Sequence, residues 1–229
     1  MPLEIWPVIH LDPNQPALAF QNARIAAENG CDGIFLIQME GRDESLCRFA
    51  KTFKENFPRL KVGVNHLSLP ADESLRLNLE AGLDATWTDA PGIRGTKTTL
   101  TGELVKARLA EARGAGKNHL FFGSVAFKYQ REEKLPVQAA LTAIKYGMIP
   151  TTSGAGTGEA APLAKLQMLR NGIGDAPLGI ASGITPENIT EQAPYLTYIL
   201  VATGISKDHL TFDEGKTKDL IAAAAPFRI

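Results

Sequence analysis

LGIASGITPEN, residues 178–188, followed shortly by YILVATG, residues 198–204, decides the reading of this chain. Each stretch is a short apolar strand that runs into small residues. Glycine lets backbone approach an anion closely, and a helix N-terminus offers unpaired N–H groups carrying partial positive charge. Two such strands in succession make a phosphate seat. In a (β/α)8 barrel, the loops after strands 7 and 8 are where that seat usually lies.

Working outward, short apolar runs alternate with amphipathic stretches eight times. Strands are expected at 5–10, 33–38, 61–65, 85–88, 120–127, 148–152, 178–181 and 198–202. Helices are expected at 16–28, 44–56, 71–81, 103–112, 136–145, 160–170, 186–192 and 214–224. Strands alternating with helices of this length argue for βαβ units and a parallel sheet, and eight units suit closure into a TIM barrel. Gly30, Gly82, Gly116, Gly147 and Gly172 fit helix C-termini, while Asp43, Thr101 and Thr185 fit N-caps. Pro186 fits the first helical position, with Pro136 and Pro162 in similar roles.

The length of 229 residues fits one domain spanning 1–229, since a TIM barrel typically needs roughly 250. A net charge of −1 supplies no field for gathering polyanions, which argues against nucleic acid as a partner. Two cysteines, Cys31 and Cys47, suggest neither a disulfide framework nor a zinc ligand set. The N-terminal stretch lacks the basic start and long apolar centre of a secretory signal, and no apolar run is long enough for membrane insertion. A cytoplasmic setting is expected. Barrels commonly pair through outer helices or loops, so a homodimer is the expected assembly.

Catalytic groups of such a barrel belong where each strand ends. His10 closes the first strand and, with an ordinary pKa of roughly 6.5, can act as acid or base. Asp89 closes the fourth, where a carboxylate can serve as general base or hold a sugar hydroxyl. Lys128 follows the fifth, placed to act electrostatically, as acid/base or as Schiff-base nucleophile. Gln38 and Asn65 end strands 2 and 3 as ligand-binding candidates. The glycine-rich run TTSGAGTGEAAP, residues 151–162, adds Thr152, Ser153 and Thr157 around a second anion-friendly turn. Arg94 and Lys97 sit in a long loop that could serve as a lid. No two histidines have metal-ligand spacing, so no zinc centre is expected. A magnesium ion shared between a ligand phosphate and Asp12, Glu40 or Asp89 is compatible with the sequence, because Mg²⁺ needs few protein carboxylates.

Several of these pieces carry a family resemblance. His10-Leu11, VGVN at 62–65, VAFK ending at Lys128, SGAGTG at 153–158, SGITPEN at 182–188 and VATGIS at 201–206 together resemble the BtpA family of TIM-barrel proteins. Some of the same pieces are generic to phosphate-binding barrels such as phosphoribosylanthranilate isomerase and thiamine phosphate synthase. The resemblance implies the barrel and the position of its site.

The expected function is that of an enzyme acting on a phosphorylated sugar or a phosphoribosyl or nucleotide-type compound. The backbone N–H groups of Gly183, Ile184, Gly204 and Ile205 would hold the phosphate, assisted by Ser182 and Thr203. Glycosyl or phosphoribosyl transfer is slightly favoured over isomerisation or epimerisation, because the glycine-rich sixth loop offers room for a second anionic group. The rival expectation is a noncatalytic sugar-phosphate- or nucleotide-binding factor with an assembly or regulatory role.

Overall fold

A computed structural model describes residues 2–39 and 45–228. Eight parallel strands carry the architecture: β1 (Glu4–His10), β2 (Gly33–Ile37), β3 (Lys61–Asn65), β4 (Ala85–Thr88), β5 (Leu120–Ser124), β6 (Ile149–Thr152), β7 (Gly179–Ala181) and β8 (Tyr198–Val201). Each pairs with its sequence neighbours, and β1 closes the ring against β8, with Glu4 opposite Tyr198 and Pro7 opposite Val201. The product is a single-domain (β/α)8 barrel.

Side-chain alternation sorts the residues between two cores. Trp6, Val8, Phe35, Ile37, Trp87, Phe122, Ile149, Tyr198 and Leu200 belong to the cluster that fills the ring. The opposite parity, including Ile5, Ile9, Leu36, Val62, Val64 and Phe121, belongs to the cluster shared with the helices. Phe122 meets Phe35 and Tyr198 edge to face at 5.3 and 5.0 Å between centroids, so aromatic rings plug the barrel. A Cβ on Gly63 would overlap the Phe35 ring, which is why a strand otherwise rich in valine carries glycine there. Burying each such ring contributes about 1.5–3 kcal/mol.

The helices are α1 (Pro16–Glu28), α2 (Leu46–Asn56), α3 (Ala71–Glu80), α4 (Leu100–Gly114), α5 (Pro136–Lys145), α6 (Leu163–Ile173), α7 (Ile189–Gln192) and α8 (Glu214–Ala224). Four expectations are corrected. Strand β5 ends at Ser124 rather than 127, because Ala126 takes a left-handed φ of 49° that takes the chain out of the sheet. Helix α4 is capped by Thr99, whose side chain accepts from the Gly102 amide, leaving Thr101 inside the helix. Helix α7 starts at Ile189, since residues 185–188 form a turn in which the Thr185 carbonyl accepts from the Asn188 and Ile189 amides. Gly172 lies within α6, where a Cβ would overlap Val137 of α5, and Gly174 takes the positive φ of 61° after the helix end. Pro136 does open α5, whereas Pro162 precedes α6 as its cap residue. Asp43, read as an N-cap, lies outside the described residues. Among the described residues, no helix is long and apolar enough to cross a membrane.

Candidate active site

A cavity of about 220 Å³ opens at the C-terminal mouth of the barrel. His10, Asp89, Lys128, Thr157, Ser182, Gly183, Ile184, Thr203 and Gly204 all line it, so six turns of chain separated by up to 194 positions meet at one opening. Strand geometry explains the meeting. His10 continues the inward parity of Trp6 and Val8, and Asp89 continues that of Ala85 and Trp87.

The wall formed by the loops after β6, β7 and β8 is made of backbone in close contact. The Gly158 amide donates to Ser182 Oγ at 3.0 Å, and that hydroxyl donates to the Gly156 carbonyl at 2.9 Å. A Cβ on Gly183, whose φ is 72°, would overlap the Glu159 backbone, and one on Gly204 would overlap the Ile184 carbonyl oxygen. Only glycine permits this approach. Asn188 holds the turn from beneath, donating to the Gly183 carbonyl at 2.7 Å and accepting from the Thr185 amide at 2.9 Å. The arc is therefore a loop construction, and α7 with its four residues adds no helical field to it. Ile205 stands apart from the other expected arc residues: it is buried, and its amide donates to the Ala202 carbonyl at 3.0 Å.

Around the opposite side stand the titratable groups. Burial pushes the Asp89 carboxyl up from its ordinary value, opposed by a long 3.4 Å hydrogen bond from Asn65 Nδ2 and by the positive charge of Lys128. Burial pushes the Lys128 ammonium down, opposed by Asp89 and Tyr129. His10 falls to about 4, mainly through burial and then through His209 and Lys128, so its imidazole is neutral at physiological pH. A carboxyl held up, an amine held down and a neutral imidazole share one cavity. Such opposed shifts are what acid–base chemistry near neutral pH requires.

Backbone ties fix Lys128. Its amide donates to Ser153 Oγ at 2.7 Å, and Lys165 of α6 donates through Nζ to the Ala126 and Ser153 carbonyls at 2.6 and 2.8 Å. Gln130 donates from Nε2 to the Asp89 and Ser124 carbonyls. Ala126, Tyr129 and Ser182, the non-glycine residues with positive φ among the described residues, all lie in loops around this mouth. Backbone in such conformations costs on the order of 1–3 kcal/mol per residue and concentrates at functional sites.

Several sequence-read residues lie elsewhere. Gln38 is 1% exposed, outside the cavity lining, and neither atom of its amide has a hydrogen-bond partner. Its parity matches Leu36, which faces the helices. Asn65 reaches the site through Asp89 rather than by lining it. Thr152 bonds the Ala126 carbonyl at 3.2 Å, and Ser153 is committed to Lys128 and Gly154. Arg94 turns toward the Glu132 carbonyl at 3.1 Å, and neither it nor Lys97 lines the cavity. Of the magnesium candidates, Asp89 lines the cavity, Asp12 is occupied by the Asn14 amide and Gln15 at 2.9 Å each, and Glu40 lies outside the described residues. Among the described residues, no group of three or more His, Cys, Asp or Glu could hold a metal ion.

Other residues contribute to the site as well. His209, from the loop after β8, lines the cavity with its ring 4.3 Å from that of His10. Asn22 of α1 holds that loop, donating to the Leu210 carbonyl at 2.7 Å and accepting from the Phe212 amide at 2.9 Å. Tyr129 accepts from the Thr157 amide at 3.2 Å across two loops. Met39, Leu67 and Trp87 also line the cavity.

No protein-family model matches the chain, and no curated protein sequence matches it. Solved structures do. The chain is similar to phosphoribosyl anthranilate isomerase from Thermus thermophilus, with a TM-score of 0.69 and 19% identity over 99% of this chain and 100% of that one. It is similar to KGPDC from Streptococcus mutans, with a TM-score of 0.70 and 12% identity over 99% of each chain. Thiamine phosphate pyrophosphorylase from Pyrococcus furiosus matches with a TM-score of 0.65 and 15% identity over 98% of this chain and 96% of that one. At these identities the likeness is one of fold: the chain is a (β/α)8 barrel of the kind these enzymes share.

Proposed function

We propose that this barrel is an enzyme that binds a phosphorylated sugar or phosphoribosyl-type compound and moves a proton on it. The phosphate sits against Ser182, Gly183, Ile184, Thr203 and Gly204, and the reacting carbons lie among His10, Asp89 and Lys128. The observation that carries the reading is that one cavity joins a close-packed glycine-bearing arc to a carboxyl and an amine shifted toward each other by burial. The structural neighbours named for phosphoribosyl and phosphate compounds add support by analogy of fold.

In this scheme the Asp89 carboxylate takes a proton from carbon. The Lys128 ammonium stabilises and protonates the oxygen of the resulting enediolate. Asp89 then gives its proton to the neighbouring carbon while the other enediol oxygen returns a proton to Lys128, so the substrate is isomerised and both residues end as they began. Neutral His10 hydrogen-bonds the same intermediate, with His209 above it. Transfer chemistry is the weaker reading, because the hydroxyls of Thr152 and Ser153 that would seat a second anionic group are spent inside the loops.

The test is exchange. Incubated in D2O with aldose and ketose pentose phosphates, the protein should incorporate deuterium at a sugar carbon, followed by NMR, and Asp89→Asn should slow it by about 10²–10⁴-fold. A phosphosugar that raises the melting temperature without exchange would leave a binding protein. If no phosphorylated ligand stabilises the fold, the reading fails altogether.

A further inference from the structure

Among the described residues, the side of the cavity facing away from the phosphate arc is apolar at rim and floor. Around the ring, β2 and β3 stand across from β6 and β7. There Met39 and Leu67 project at the mouth, 58% and 37% exposed, each two residues after the end of its strand. Below them, Val8, Ile37 and Trp87 form the floor. The one polar atom of Trp87 is already used, since Nε1 donates to Ser124 Oγ at 3.1 Å, so the indole offers the cavity apolar surface. His10, Asp89 and Lys128 lie between this wall and the arc in ring order. A bare sugar phosphate would satisfy the arc and the titratable groups and leave Met39 and Leu67 in water.

Resting on the phosphosugar reading above, we infer that the substrate carries an uncharged apolar aglycone, attached at the end of the sugar remote from the phosphate and packed between Met39 and Leu67 over Trp87. Methionine suits such a wall, because an unbranched thioether adapts to the flat face of a ring. A carboxylate packed between Met39 and Leu67 would give up water for apolar surface, so an acidic aglycone is disfavoured. Exposed apolar side chains grouped at a cavity mouth are a recurrent mark of ligand contact.

The experiment compares ribose 5-phosphate, its phenyl 1-glycoside and the carboxyphenyl analogue by calorimetry. Wild type is set beside a Met39→Ser/Leu67→Ser double variant, in which both changes fall on exposed residues. The phenyl compound should bind wild type about tenfold more tightly than ribose 5-phosphate, with the carboxyphenyl compound weaker than the phenyl. The double variant should lose that advantage while holding ribose 5-phosphate within about twofold. Equal affinity of ribose 5-phosphate and phenyl glycoside for wild type, or an advantage that survives in the variant, overturns the apolar-aglycone inference alone. A carboxyphenyl compound binding as tightly as phenyl overturns its uncharged character. Failure of all three to bind overturns the phosphosugar reading as well.

Discussion

The two halves of the cavity are built by different means. The half after β6, β7 and β8 is backbone pressed on backbone, held by Ser182, Asn188 and two glycines that tolerate no side chain. The half from β1 to β5 is a set of long side chains projecting from strand ends, with Met39 and Leu67 exposed and His10, Asp89 and Lys128 shifted by burial. The lesson is a division of labour. A backbone seat recognises what all its ligands share, and replaceable side chains determine which reaction follows and on what.

If that division holds, a methyl group on the seat should do the most harm. Gly183→Ala should cost on the order of 3 kcal/mol of stability and remove phosphosugar binding, measured by urea denaturation and calorimetry, since the new Cβ meets the Glu159 backbone at a positive φ. The opposite half should respond in chemistry instead. Asp89→Asn and Lys128→Met should each lower turnover by about 10²–10⁴-fold with ligand affinity retained, and equal losses of affinity and turnover would blur the two halves.

The pH profile sharpens the same contrast. In the proposed mechanism activity needs Asp89 ionised and Lys128 protonated, so the acid limb should lie above the usual carboxylate range and the alkaline limb below the usual lysine range. Lys128 holds the Asp89 pKa down, so in Lys128→Met the acid limb of the residual activity should move to higher pH.

His119 provides a control away from the cavity. Its ring is bonded to Thr86 and to the Leu83 carbonyl at 2.9 Å each, and burial lowers its pKa to about 4 from 6.5. The unfolded chain therefore binds more protons than the folded one between those values. Stability should fall as pH drops through that window, by at most about 3 kcal/mol from this group. His119→Gln should flatten the slope in denaturation curves while leaving the pH limbs of catalysis in place. The smallest effect is local. Asp213→Ala removes the cap bond to the Lys216 amide at the start of α8 and should cost about 1 kcal/mol without altering either half.

The ring itself was legible because its signal is periodic. Apolar runs located all eight strands, and errors gathered where a single backbone angle decides, as at Ala126 beyond β5 and in the turn before α7. That His10, Asp89 and Lys128 face one cavity was readable because polar residues at strand ends stand out. Gln38 was misplaced because the position nearest a strand end need not have the inward parity, and Phe35 and Ile37 already fixed β2 the other way. Thr152 and Ser153 looked like ligand hydroxyls but serve their own loops. Met39 and Leu67 escaped notice because an apolar residue gives no sign in sequence of whether it faces the core or a ligand. His209 belongs to a loop whose path depends on Asn22, a partner that no local pattern indicates.

That partnership spans almost the entire polypeptide, since Asn22 meets Leu210 and Phe212 across 188 and 190 residues. During synthesis, α1 emerges on the order of ten seconds or more before the segment it will hold. Assembly order thus leaves the pairing of the two histidine rings to a contact made late in synthesis, between the first helix and the loop after the eighth strand.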